Sequence, residues 1–216
     1  MKKLVMTLAL ASLFGTAQMS AQGLMKKMMS NLYGGPKVEA NLSTFFLSDM
    51  PGVDSKMGVG GSVGGFLGMR LTEHFAVQED LLVHYKTSDF KQSGATGDFK
   101  YMGAEFAIYA MGNWTLHDGS RISIGAGPFV GYGLNAKYKV NGVETDLYDE
   151  DENGDMPFNP MNVGAAILLG YELRCGLQIN ASCKCGIMNM LDAHKDDASM
   201  RPGTISLGVA YRFGKK

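Results

Sequence analysis

Proline and cysteine are scarce in this chain, charge of the two signs is balanced, and long apolar runs are missing. Six prolines in 216 residues leave extended stretches free of backbone breaks. Three cysteines, Cys175, Cys183 and Cys185, are an odd number and too few to staple an exported domain. Cys183 and Cys185 stand two apart on one face of a predicted strand, a poor geometry for bridging each other. They are expected to be small buried or lipid-facing hydrophobes. Formal net charge is −1, which removes the basic field that nucleic acid would need. No stretch approaches ~20 continuous apolar residues, so a transmembrane helix is excluded. The spacings G-x-S-x-G and H-E-x-x-H and the P-loop do not occur.

Glycine is plentiful instead. The 29 glycines are about twice the usual share, and they are spread through apolar runs rather than gathered in a low-complexity tract. The chain opens on Met1-Lys2-Lys3, continues through apolar Leu4 to Phe14, and then offers small residues at Ala17 and Ala21. That order is a secretion signal, with cleavage expected after one of those alanines. Residues 1–21 are assigned to the signal, the Met-rich segment 22–34 to a periplasmic lead-in, and 35–216 to one domain. An exported chain with no helical anchor is periplasmic, secreted or a membrane β-barrel.

Period-two alternation runs through the domain. Thr204 to Phe213 is its clearest instance: Ile205, Leu207, Val209, Tyr211 and Phe213 alternate with Ser206, Gly208, Ala210 and Arg212, the pattern of a strand with one apolar face. Seven more such stretches precede it, at 37–47, 56–71, 75–86, 99–114, 121–137, 161–173 and 177–189. Only Glu79 breaks the apolar parity of the third. Turns at Thr72-Glu73-His74, Asp118-Gly119 and Arg174-Cys175-Gly176 are short. The alternate connections, 48–55, 87–98, 138–160 and 191–203, read as long loops. The predicted fold is all-β: an eight-stranded antiparallel up-and-down transmembrane β-barrel with short periplasmic turns and long outer loops.

The face opposite the apolar residues is mostly Gly, Ser and Asn. Glycine on a solvent face would weaken strands with nothing gained, whereas a narrow eight-stranded lumen has room for few large side chains. The apolar face therefore points to lipid. Its aromatics agree: Phe75, Trp114, Tyr171, Tyr211 and Phe213 fall at periplasmic strand ends, and Phe46, Tyr85 and Tyr132 toward the other end, two belts at the bilayer interfaces.

Four stretches, Val77–Tyr85 (V-Q-E-D-L-L-V-H-Y), Gly125–Leu134 (G-A-G-P-F-V-G-Y-G-L), Cys185–Met190 (C-G-I-M-N-M) and Ala210–Phe213 (A-Y-R-F), resemble the outer-membrane β-barrel domain family of Bacteroidetes-type bacteria, which includes the PorT-like proteins. The resemblance spans about Gly35 to Phe213. Two positions depart from it: a proline–glutamate pair in the third strand reads Glu79-Asp80 here, and a proline and glutamate in the fourth become Tyr101-Met102-Gly103-Ala104-Glu105. The resemblance implies an outer-membrane location in a Gram-negative bacterium and insertion by barrel-assembly machinery that reads the terminal aromatic. It leaves an accessory role in secretion or envelope assembly as analogy alone.

Charged residues on the non-apolar parity form the main site expectation. Arg70, Asp80, Glu172 and Arg212 should lie low in the lumen and His84, Glu105 and Lys184 higher. Buried there, they must pair or be hydrogen-bonded. A side-chain plug is the expected outcome, with a proton or ion path as the competing one. The acidic stretch Asp149–Asp155 sets Asp149, Asp151, Asn153 and Asp155 in the first half of a calcium loop, but Pro160 stands where the bidentate glutamate belongs. No cofactor is expected, calcium in that loop being the one candidate. Nucleophilic catalysis is not expected: His84 falls on the lumen face, His74 and His117 in turns, and His194 in an outer loop near Asp192 and Ser199. The expected function is a structural or interaction barrel whose partners are outer-membrane lipid and an envelope protein. A narrow pore or a small-molecule or lipid-binding barrel is the alternative, and a lipid-modifying enzyme a remote one.

Overall fold

The computed structural model describes residues 30–50, 52–92, 95–140, 143–148, 158–191 and 198–214. Contacts divide the chain between Asn31 and Leu32, and every strand belongs to the second unit. In chain order the strands are β1 (Leu32–Ser48), β2 (Val53–Arg70), β3 (Phe75–Gln92), β4 (Ala95–Thr115), β5 (Arg121–Val140), β6 (Val143–Asp146), β7 (Met161–Glu172), β8 (Leu177–Gly186) and β9 (Ser199–Tyr211). All pairings are antiparallel between neighbours, β1 pairs with both β2 and β9, and β4 pairs with β5, so eight strands close into a barrel. The ninth, β6, folds back on the upper end of β5 alone.

The register fixes the barrel's geometry. Stepping from Leu42 of β1 across Ile205, Cys183, Ile167, Ala126, Ala110, Val77 and Met69 returns to β1 at Leu32. The stagger is ten residues (42 minus 32). Eight strands with that stagger tilt about 40° from the barrel axis, which gives a lumen just wide enough for side chains to fill.

Parity decides what fills it. In β1 the odd residues Lys37, Glu39, Asn41, Ser43 and Phe45 are buried, while Val38, Leu42 and Phe46 face out. The other strands repeat the pattern, so the outward face carries Val63, Leu81, Val83, Ile167, Leu207 and their like, exposed as only a lipid-facing surface can afford. Cys183 and Cys185 are free and outward-facing on β8, and Cys175 is free in the β8 turn. The aromatics of both predicted belts are exposed at the two ends of the outward face.

Several strand limits differ from the sequence reading. β2 begins at Val53 rather than Lys56, β8 ends at Gly186 rather than Asn189, and β9 begins at Ser199 rather than Thr204. The predicted loops 48–55 and 191–203 thus each give up residues to a strand that continues past the bilayer. β1 starts at Leu32, not Lys37, and runs straight through Gly34-Gly35-Pro36. The two glycines are what permits this: a Cβ on Gly34 would sit 2.6 Å from the Phe66 oxygen, and one on Gly35 would press into the Tyr211 carbonyl. Residues 87–98 are not an open loop, because β3 and β4 stay paired up to Gln92 and Ala95. Their polar alternation is a strand that has left the bilayer, with Ser88, Phe90 and Phe99 still turned inward. Within 138–160, likewise, β6 makes a hairpin with β5.

At the opposite end the connections are short. Asp118 and Gly119 turn β4 into β5, Gly119 with φ of 80°. The Ser120 amide and hydroxyl donate to Asp118 Oδ1 at 3.0 and 2.5 Å and hold that carboxyl below the usual aspartate range. Closure is completed beyond β9, where Gly34 and Phe213 exchange two backbone hydrogen bonds of 3.1 and 2.8 Å.

Candidate functional site

The lumen is the candidate site, and it is layered. Its lower half holds an apolar cluster that includes Phe66, Tyr109, Met111, Phe129 and Leu168. Its outer end is capped by a second, including Phe45, Phe90, Phe99, Tyr101, Phe158 and Met190. Charged side chains occupy the space between these layers and the floor beneath the lower one.

The middle layer is a chain of alternating charge. Lys37 Nζ lies 2.7 Å from Asp80 Oδ2 and 2.9 Å from Glu39 Oε1. Glu39 Oε2 is 3.9 Å from Lys184 Nζ, Lys184 also donates to Glu105, and Lys86 approaches Glu105 at 3.4 Å. Gln78 adds a 2.9 Å hydrogen bond to Asp80. Three ammonium groups and three carboxylates thus balance, with side-chain exposures of 5% or less except for Lys86 at 14%. They come from β1, β3, β4 and β8, so the network crosses the lumen rather than following one wall. Such burial is tolerable only because each charge has an opposite neighbour at hydrogen-bond distance.

The floor is a second group. Arg212 Nη1 donates to both oxygens of Glu172 at 3.0 and 3.1 Å, Arg121 stands 3.7 Å from the same carboxylate, and Gln178 donates to it at 2.9 Å. The Arg212 guanidinium also lies over the Tyr33 ring, 4.3 Å from its centroid. Below it a cleft of about 300 Å³ opens between Cys175, Tyr211 and Phe213.

Of the residues expected from sequence, Glu105 and Lys184 meet directly, and Glu172 meets Arg212. Asp80 belongs to the middle layer instead of the floor. Arg70 sits half-buried at the lower end of β2, outside ion-pair distance of both groups' carboxylates. His84 is buried and stacks on Tyr101, ring centroids 5.1 Å apart, without an ion pair of its own. Between it and the cap lies a cavity of about 20 Å³ lined by Ser43, Lys86, Glu105, Asn162 and Thr204, room for about one water. Lys37, Glu39, Lys86 and Arg121 were missed. Their signal was present, since all four occupy the non-apolar parity of their strands.

His74 lies in the β2–β3 turn, its Nδ1–H donating to the Asn113 carbonyl at 3.2 Å, and His117 is exposed in the β4–β5 turn. The calcium-loop candidates Asp149, Asp151, Asn153 and Asp155, like Asp192, His194 and the signal at 1–21, lie outside the described residues.

Solved structures similar to this one include the attachment invasion locus protein Ail of Yersinia pestis (16% identity, 84% of this chain and 98% of that one, TM-score 0.42). They also include Neisserial surface protein A (15%, 85% and 98%, 0.45) and OprG of Pseudomonas aeruginosa (10%, 87% and 98%, 0.48). No curated protein sequence matches the chain. The family model described as "Outer membrane protein beta-barrel domain" matches residues 6–213. With a closed eight-stranded barrel, an apolar outer face and that match, the chain belongs to the outer-membrane protein β-barrel domain family.

Proposed function

We propose that this barrel is sealed by its own side chains and acts as a structural or interaction protein of the outer membrane, through its loops and rim rather than its lumen. The observation that carries this reading is the neutral six-charge chain spanning the lumen between two apolar layers, with a cavity of about 20 Å³ above it. A solute path would have to break several buried ion pairs, each costing ~3–5 kcal/mol when one partner is left alone. Enzymatic chemistry is not part of the proposal, because the buried His84 stacks on Tyr101 and His74 is engaged with a backbone carbonyl. The four stretches that resemble the family containing the PorT-like proteins favour a place near that group, and by analogy an accessory role in secretion or envelope assembly.

Genetic complementation separates lumen from surface. In a strain lacking the protein, a chain with Lys184→Met and Glu105→Leu together, verified as folded, should restore detergent resistance as well as the wild type does. Replacing the projecting β3–β4 hairpin, 87–98, by a two-residue turn should abolish rescue. Rescue lost with the lumen pair and kept with the hairpin change would reverse the assignment.

A further inference from the structure

We infer that the outward face centred on Glu79 is a self-association surface, on which a second copy of this chain packs with its own Glu79 opposite. Glu79 lies between Val77 and Leu81 on the outward parity of β3, paired across the sheet with Leu67 of β2 and Ile108 of β4. Those two and Leu81 are 47%, 38% and 62% exposed, so this face looks out of the barrel and not into it. Phe75 and Tyr85 mark the two aromatic belts on the same strand. At about 2.5 Å of height per tilted residue they stand ~25 Å apart, the thickness of the apolar band. Glu79 is four residues above Phe75, about 10 Å into that band, close to its middle.

Among the described residues it is the one carboxylate or cation on the outward face between the belts, and it has no hydrogen-bond or ion-pair partner. An unpartnered carboxyl in hydrocarbon costs several kcal/mol, and an ionisable group at such depth marks a contact. The lumen charges cannot supply the partner, since they lie behind the sheet. Lipid headgroups lie at the belt, ~10 Å away, beyond the reach of a glutamate side chain.

The occupant that fits is an identical face. A neutral carboxylic acid carries one O–H donor and an acceptor oxygen, so two of them satisfy each other fully. A two-fold interface sets a residue on its axis against its own copy. Of the four diagonal neighbours of Glu79, Met69 and Phe106 are large, whereas Gly65 and Ala110 are small. The small pair leaves a gap on either side of Glu79 through which two barrels can approach until the acids meet.

The test uses Cys175, which is exposed in the periplasmic turn. It is labelled with donor or acceptor dye in a chain carrying Cys183→Ala and Cys185→Ala, and energy transfer is followed in phosphatidylcholine vesicles across protein-to-lipid ratios. Heat-modifiable migration on gels confirms that each variant is folded. The wild type should show saturable dimerisation, and Glu79→Gln, whose amide is also donor and acceptor, should keep it. Glu79→Leu should weaken it at least about tenfold. A wild type that stays monomeric at every ratio, a Glu79→Leu protein that associates like the wild type, or a Glu79→Gln protein no better than Glu79→Leu would each overturn the inference.

Discussion

Lys37 shows how much depends on a single lumen side chain. It is 1% exposed and, among the described residues, is the only cation within 3 Å of both Asp80 and Glu39. Lys37→Met leaves those carboxylates facing each other across a dry gap and should destabilise the barrel by ~3–5 kcal/mol. Arg212→Met is the informative contrast, because Glu172 keeps Arg121 at 3.7 Å and Gln178 at 2.9 Å beside an open cleft. Its loss should be nearer ~1–2 kcal/mol, including the Tyr33 ring contact. Urea unfolding in lipid vesicles measures both, and an Arg212 effect equal to or larger than the Lys37 effect would contradict this ranking. These residues also mark the limit of sequence reading. Alternation places Lys37, Asp80, Glu105 and Lys184 on the inner face. Which of them share a height depends on the ten-residue stagger, and that exists only once the sheet has closed. Alternation alone therefore groups Asp80 with Arg70 and Arg212, whereas in the barrel it meets Lys37.

Among the strands, the membrane-crossing portions were legible and their outer extensions were not. Inside the bilayer one face must be apolar, so period two stands out in Val59-Gly60-Gly61-Ser62-Val63 or Ile205 to Phe213. Above it both faces can be polar, and Thr87 to Gln92 reads like a loop although it continues β3 to the tip of a hairpin. The start of β1 was hidden for a different reason. Gly34-Gly35-Pro36 carries the composition of a turn, yet two flanking strands approach so closely that only a residue without Cβ fits. Gly35→Val should therefore block the β1–β9 seam, since a Cβ there falls within 2.9 Å of the Tyr211 carbonyl carbon and closer still to its oxygen. Refolding into vesicles should yield no heat-modifiable species. Gly52→Ala is the control: that glycine has φ of 76° but nothing within 4 Å of its Cβ position, so the cost should be ~1 kcal/mol from backbone strain alone. A folded Gly35→Val barrel would show that the seam can spread.

For the whole molecule, a ring of eight strands staggered by ten residues encloses a space that its own side chains can fill, and here they fill it in alternating apolar and charged layers. The outer surface is the more informative one, with its two aromatic belts and a lone carboxyl between them. A lumen sealed in the way we propose passes nothing solute-sized. Conductance of the refolded, heat-modifiable protein in a planar lipid bilayer tests it most directly. A bilayer that stays silent under applied voltage is the predicted result, and discrete, reproducible conductance steps from the wild-type barrel would contradict it.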